Sequence, residues 1–403
     1  MNISALLVVL PILFTQAIPM HPQKPTAIAQ NPNNPSPQAA LERLFTSPPI
    51  QRQWFADSFL QQIPVPPEQL IQDLKTNLGA FQSTQREGDG YRMTFGRGSL
   101  LALIFLNAEG QITGLLFQDI QSNAIALPDA IRQLQALPGD TSLLVLAGTT
   151  EKAAWNAERS LAVGSTFKLA VLAALRQQIE SGQRSWGDVV TLQAQDKSLP
   201  SGLLQTWFDG ALLTVQTLAT LMISQSDNTA TDALIRLVGR EEIEALAPAN
   251  RPFLTTREAF ALKSAQNSAV LQRYRSGNTA QRQQLLTELA ELPLPNATEF
   301  TGDPIAPDVE WFFTNHELCQ LMGRVADLPL MSVNPGGGLV NPNDWAKVSF
   351  KGGSEPGVLN LTTWLVGNDG KTYCVSATWN NPNAVLDDGR FFSLYGGIIA
   401  GLK

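Results

Sequence analysis

Two rhythms of apolar and polar positions divide the chain. From Pro37 to about Asn77 apolar residues return at helical intervals, which predicts three amphipathic helices, Ala39 to Phe45, Gln51 to Leu60 and Pro67 to Leu78, the last with proline at its start. Beyond it the pattern shortens to strand-like runs, Phe81 to Gln85, Tyr91 to Phe95, Ser99 to Asn107 and Gln111 to Gln118, separated by turn residues such as Gly88-Asp89-Gly90 and Glu109-Gly110. Helices followed by an antiparallel meander describe a small α+β domain over residues 39–120. A linker, Gln121 to Ala126, leads to a helix from Pro128 to Leu137, a strand pair around Thr141 to Leu146 and Lys152 to Trp155, and a long helical middle. Three strand-like runs, Ala346 to Phe350, Leu359 to Val366 and Thr372 to Trp379, and a helix from Phe391 to Leu402 close the chain. This order predicts an α/β (α+β) domain over residues 128–403, a helical lobe inserted into an antiparallel sheet built from both ends of the segment. No internal repeat or heptad run is present.

Composition narrows the chemistry. The 403 residues are 44% hydrophobic and 16% charged, enough for a sizeable core. With 28 Lys+Arg against 35 Asp+Glu the net charge is −7, and no stretch concentrates basic residues, so nucleic acid is not an expected partner. Cys319 and Cys374 are the only cysteines and His21 and His316 the only histidines, so no Cys/His zinc cluster can be assembled, and neither metal nor cofactor is expected. After export the two cysteines could form a disulfide, or remain as buried thiols. His316 lies in an apolar, helix-like stretch and reads as structural, and no G-x-S-x-G elbow exists, so a hydrolase here needs a base other than histidine.

The apolar run of residues 3–19 is broken by Pro11 and shorter than the ~20 residues of a membrane helix, and Ala27-Ile28-Ala29 offers small residues for cleavage. We read residues 1–29 as a signal peptide, with an uncleaved anchor as the alternative, and residues 30–38, rich in Asn and Pro, as a tether. The folded part is expected outside the cytoplasm, periplasmic or extracellular, with no integral membrane domain.

Three short motifs carry the candidate chemistry. Ser165 and Lys168 open a strongly apolar helix, and their spacing stacks both side chains on one face, so the lysine amine can reach the serine hydroxyl. Burial and the positive end of the helix dipole both favour an uncharged amine there, and the helix start offers N–H groups to a developing oxyanion. Ser226-Asp227-Asn228 sits between two apolar helices, Leu213 to Ile223 and Ala230 to Val238, where it reads equally as a helix cap or as a polar cleft segment. Lys351-Gly352-Gly353-Ser354 ends the strand Val348 to Phe350, as a plain turn or as a place where another backbone or a ligand comes close.

In this order the three motifs resemble the signatures of class A β-lactamases and the related penicillin-recognising serine enzymes. Sixty-one positions separate Ser165 from Ser226, close to the family spacing, and the resemblance covers about Pro128 to Lys403. It implies a β-lactamase/transpeptidase-like fold in which Ser165 attacks a carbonyl, Lys168 accepts its proton, and Ser226 passes that proton to the leaving group. It also implies that Asn228 binds the substrate's side-chain amide, that Lys351 lends positive charge beside Ser226, and that Gly353 and Ser354 line the substrate, with the N–H groups of Ser165 and Ser354 as oxyanion hole. The element order of the N-terminal domain resembles the small isomerase and cystatin-like domains, which implies no activity for it.

The departures concern the substrate. Gly352 stands where the family usually has a hydroxyl residue, and no arginine lies on the strand Leu359 to Val366. The family's Glu-Pro-x-x-Asn pattern for the deacylating water is missing, and Glu258 is the nearest candidate by position, though Thr255-x-x-Glu258 equally reads as a helix start. The 125 positions between Ser226 and Lys351 exceed the family's need, with the surplus expected within Ser264 to Val309. The reading is an exported serine hydrolase opening β-lactam amides through a Ser165 acyl-enzyme. The alternatives are an esterase or a D-alanyl-peptide hydrolase with weak β-lactam turnover, or a silent module that binds cell-wall peptides or a partner. In each hydrolase reading the partner is a small-molecule substrate.

Overall fold

The computed structural model describes residues 34–403 except Pro64, Gly337 and Gly338. The expected signal peptide and residues 30–33 of the tether therefore lie outside the described residues, and the tether's last two residues, Pro37 and Gln38, open the first helix. Among the described residues no helix is long and apolar enough to cross a membrane. The backbone divides into two compact units, residues 34–125 with 389–402, and residues 126–388.

In the first unit α1 (Pro37–Thr46), capped by Ser36, a short α2 (Asp57–Leu60) and α3 (Pro67–Leu78) accompany a four-stranded sheet in simple meander order. Its strands are β1 (Phe81–Glu87), β2 (Gly90–Phe95), β3 (Gly98–Leu106) and β4 (Ile112–Ser122). The helix expected from Gln51 to Leu60 is interrupted, because the Ala56 N–H donates to the carbonyl of Ile112 at 3.0 Å and so turns away from a helical path. Leu41, Leu44, Phe45, Leu74, Met93, Phe95 and Leu100 form the core of this unit. The last helix, Asp388–Ala400, read from sequence as part of the second domain, groups by its contacts with this first unit instead. Gly397 makes that possible: its carbonyl accepts from Ile125 N at 3.0 Å, and a Cβ there would come within 2.9 Å of Asn123 O.

The second unit opens with α4 (Leu127–Gln135), β5 (Asp140–Ala147) and β6 (Thr150–Trp155). Its sheet is completed by β11 (Lys347–Glu355), β12 (Val358–Val366) and β13 (Thr372–Asn380), in the antiparallel order β11-β12-β13-β5-β6, so both ends of the segment build one sheet as the hydrophobic pattern predicts. Between them come β7 (Leu161–Ala162), α5 (Lys168–Glu180), β8 (Val189–Thr191), β9 (Leu212–Thr214), α6 (Val215–Ser224), α7 (Asn228–Val238) and α8 (Arg240–Leu246). Then follow α9 (Thr256–Lys263), α10 (Ser268–Ser276), α11 (Thr279–Glu291), β10 (Phe312–Phe313) and α12 (Asn315–Val325). The surplus expected within Ser264 to Val309 holds α10 and α11.

α5 is apolar around most of its circumference because it is buried around it, packed among α12, α7 and α8. α12 packs on α5 and on β12 and β13. Asn315, fully buried at the head of α12, is satisfied by Ser142, Ser376 and Thr378 of the sheet, so the polar positions of those strands are paired rather than exposed. Cys319 of α12 and Cys374 of β13 form a disulfide across the same contact. His316 is half-buried, with its Nε2 3.3 Å from Glu158.

Candidate active site

Three elements converge. A single 3₁₀ turn, Gly164–Phe167, leads into α5 and carries Ser165 at its half-buried edge. Phe167 anchors the turn from behind, stacked on Trp311 with ring centroids 3.8 Å apart and edge-on to Phe253. Neither aromatic partner is near Ser165 in sequence, and no spacing rule would have found them.

Lys168 is the centre of the arrangement. Its side chain is fully buried, and Nζ lies within hydrogen-bond distance of four oxygens, Ser165 Oγ at 3.2 Å, Ser226 Oγ at 3.1 Å, Ser226 O at 2.6 Å and Asn228 Oδ1 at 2.6 Å. Burial pulls its pKa down to about 7, against the opposing pull of Asp227, Asp232 and Glu355. Lys351, on β11, approaches from the other side, with Nζ 3.0 Å from Ser226 Oγ and 2.5 Å from Gly352 O. Burial first, and then the neighbouring Lys168, hold it well below the ordinary lysine value. Ser226 Oγ is thus bracketed by two desolvated amines.

Ser226-Asp227-Asn228 caps a helix and also meets Lys168. Asp227 is the N-cap of α7, accepting from Ala230 N at 2.8 Å, and its second oxygen accepts from Leu203 N and Leu204 N at 2.7 and 2.9 Å. Gly202 passes so close that a Cβ there would lie 2.3 Å from the Asp227 carboxylate. This fastening holds Ser226 at φ +53°, an uncommon backbone state for a residue with a side chain. Its carbonyl also accepts from Ser201 Oγ at 2.6 Å. Asn228 accepts from Lys168 through its oxygen and donates one amide hydrogen to Leu199 O at 3.0 Å, and its second amide hydrogen has no partner among the described residues.

The glycines of the third motif do not end their strand. β11 runs on through Lys351, Gly352, Gly353 and Ser354 to Glu355, paired with β12 as far as Val358. Gly353 is where the Ser165 turn meets the strand: a Cβ there would lie 2.2 Å from Val163 O, 2.4 Å from Ser165 N and 2.5 Å from Thr166 N. Gly164, at φ +49°, approaches Ser354 N in the same way. The amides of Ser165 and Ser354 therefore sit on abutting backbones.

Residues 126–291 match the model of a family described as the beta-lactamase enzyme family. The match lies wholly within the second unit. The matched stretch includes Ser165, Lys168 and Ser226 to Asn228, and ends before the strand of Lys351. Similar solved structures include a β-lactamase from Sphaerobacter thermophilus, at 24% identity over 68% of this chain and 95% of that one, with a TM-score of 0.47. Others are a β-lactamase from Xanthomonas campestris, at 17% over 68% and 95% with 0.47, and PBP-A, at 15% over 70% and 97% with 0.43. No curated protein matches.

Glu258 stands apart from the hydroxyls. It closes a capping box with Thr255 at the start of α9, accepting from Thr255 N at 2.7 Å, and holds Arg240 with both oxygens at 2.8 and 3.1 Å. The helix-start reading is the one this capping box bears out. Among the described residues no side-chain carboxylate hydrogen-bonds Ser165, Lys168, Ser226 or Lys351. The nearest acidic group along α7, Asp232, accepts from Thr256 N, Thr256 Oγ1 and Arg257 N, and burial pushes its pKa up to about 7.

Proposed function

We propose that the protein is an exported serine hydrolase of the β-lactamase type that opens β-lactam amides through an acyl-enzyme on Ser165. The observation that carries this reading is the fully buried Lys168 amine, within hydrogen-bond reach of both Ser165 Oγ and Ser226 Oγ and poised to be half neutral at about pH 7. A neutral Lys168 takes the Ser165 proton as Oγ attacks the carbonyl carbon. The proton then passes to Ser226 Oγ, which hands its own to the departing nitrogen, while Lys351 favours negative charge on that oxygen. The amides of Ser165 and Ser354 receive the oxyanion, at a scale of roughly 3 kcal/mol for each donor. Asn228 supplies its remaining amide hydrogen to the substrate.

Release of the acyl group is the slow step in this account, because Glu258 is committed to Arg240 and the helix cap. That favours a second reading in which the physiological substrate is an ester or a D-alanyl peptide and β-lactams turn over weakly. Gly352 lends it support: its face of β11 is closed by the Phe350 ring, against which a Cβ at Gly352 would lie 2.9 Å away, so no hydroxyl is offered there. The Cys319–Cys374 disulfide supports export, since such bonds persist in oxidising compartments. The test is a Ser165-dependent acyl adduct with a penicillin, and the comparison of its lifetime with that of the adduct from a simple ester.

A further inference from the structure

One buried ionic cluster takes no part in the chemistry described. Lys263 closes α9, and its ammonium donates to both Glu310 and Glu355. The side chains of Lys263 and Glu310 are 1% and 0% exposed, and Glu310 and Glu355 share a hydrogen bond. Burying such a group costs desolvation that its attractions barely repay, so stability alone does not account for it. Its place in the fold is more informative. Lys263 and Glu310 flank the segment that holds α10 and α11, and Glu355 is the last residue of β11, next to Ser354 and on the same strand face as Lys351 and Gly353.

The cluster also faces Lys168 electrostatically. The charged groups acting on that amine are Asp227 and Asp232 from the cap and body of α7, and Glu355 from β11, while the Lys351 amine on the far side of Ser226 Oγ is itself held down by burial and by Lys168. Of the three carboxylates, Asp227 and Asp232 are held by N–H and O–H donors, and Glu355 is the one paired with a cation. Burial and the adjoining Glu355 push the Glu310 carboxyl up to about 8. Burial pushes Glu355 up as well, yet Lys263 and the hydrogen bond with Glu310 outweigh it and hold Glu355 below the usual carboxylate range. At neutral pH the cluster therefore holds one cation, one anion and one protonated acid.

We propose that Lys263 is a positioning residue for the Ser165 site: with Glu310 and Glu355 it fastens the end of β11 beside the Ser165 turn, and it cancels the Glu355 charge that would otherwise hold the proton on Lys168. The electrostatic half rests on Lys168 acting as the base; the fastening half does not. Both halves are read on the full chain in the variants Lys263→Met, Lys263→Met/Glu355→Gln and Glu310→Gln, by the pH dependence of Ser165 labelling with a fluorescent penicillin and by amide hydrogen exchange over residues 350–358.

Lys263→Met leaves an uncompensated anion, and the acid limb of labelling rises by about half to one pH unit, a several-fold slower reaction on that limb. Removing Glu355 as well returns the limb to the wild-type position, whereas exchange over 350–358 is faster in both variants. Glu310→Gln, the isostere of the protonated acid, leaves both readouts near neutral pH as in wild type. A Lys263→Met protein that labels on the wild-type limb, or a double variant that does not restore it, overturns the electrostatic half. Unchanged exchange in folded Lys263→Met overturns the fastening. Should Lys263→Met fail to fold, Glu355→Gln alone cuts the tie to β11 and must speed exchange for the proposal to stand. If wild type takes no label, it is the nucleophile reading that falls, and exchange still decides the fastening.

Discussion

Gly353→Ala is the sharpest test of how the site is assembled. The new methyl would lie 2.2 to 2.5 Å from Val163 O, Ser165 N and Thr166 N, all backbone atoms of the turn that carries the nucleophile, where ordinary contact begins at 3.4 Å. Strand and turn must part by about 1 Å, and overpacking of this kind costs about 1–3 kcal/mol. Kinetically the displacement moves Ser165 N and Ser354 N relative to each other, and a misplacement of ~1 Å costs on the order of 100-fold in rate. We expect kcat/KM for acylation by a penicillin to fall about 100-fold, with a Tm lowered by roughly 4–8 °C for a loss of about 2 kcal/mol. Gly352→Ala is the control: its Cβ would meet the Phe350 ring and a Leu361 methyl, at 2.9 and 3.4 Å, and side chains can turn aside where backbone cannot. A Gly353→Ala protein that acylates like wild type, or no worse than Gly352→Ala, would refute the claim that the abutting backbones form the reactive geometry.

Two further outcomes follow from the protonation state and the partners of single residues. Because the Lys168 amine must be neutral to accept the Ser165 proton and its pKa is lowered to about 7 by burial, the acylation rate rises about tenfold per pH unit below 7 and levels off above it, read from labelling rates across pH 5 to 9. A rate that falls as pH rises through 7 would contradict this. Glu258→Gln keeps the helix cap but loses the two-pronged Arg240 pair, so the lifetime of the acyl-enzyme is unchanged while stability drops by about 1 kcal/mol in denaturant unfolding. A much longer-lived acyl-enzyme in that variant would make Glu258 the deacylating base after all.

The strands and the reactive motifs were legible in the sequence for a common reason. Alternating and helical periodicities are local, and Ser165-x-x-Lys168 depends only on the pitch of one helix. Where long-range contacts decide, the sequence was silent. The Ala56 N–H that leaves the expected Gln51–Leu60 helix is taken by Ile112, fifty-six residues on. The two glycines after Lys351 read as a strand end, yet β12 continues to pair with them, and their missing side chains admit the Ser165 turn. Phe167, Phe253 and Trp311 look like ordinary core positions in sequence, and only the fold stacks them behind the Ser165 turn. Lys263, Glu310 and Glu355 are scattered charges until α9, the residues before β10 and the end of β11 meet.

The central claim is that Ser165 is a nucleophile activated by Lys168, and the most direct measurement is the intact mass of the protein followed over time after mixing with a penicillin. The account predicts an increase equal to one penicillin, absent in Ser165→Ala, strongly slowed in Lys168→Met, and decaying slowly as ring-opened product accumulates. An adduct of the same mass in Ser165→Ala, or wild-type protein that gains no mass from penicillins and simple esters alike, would contradict it.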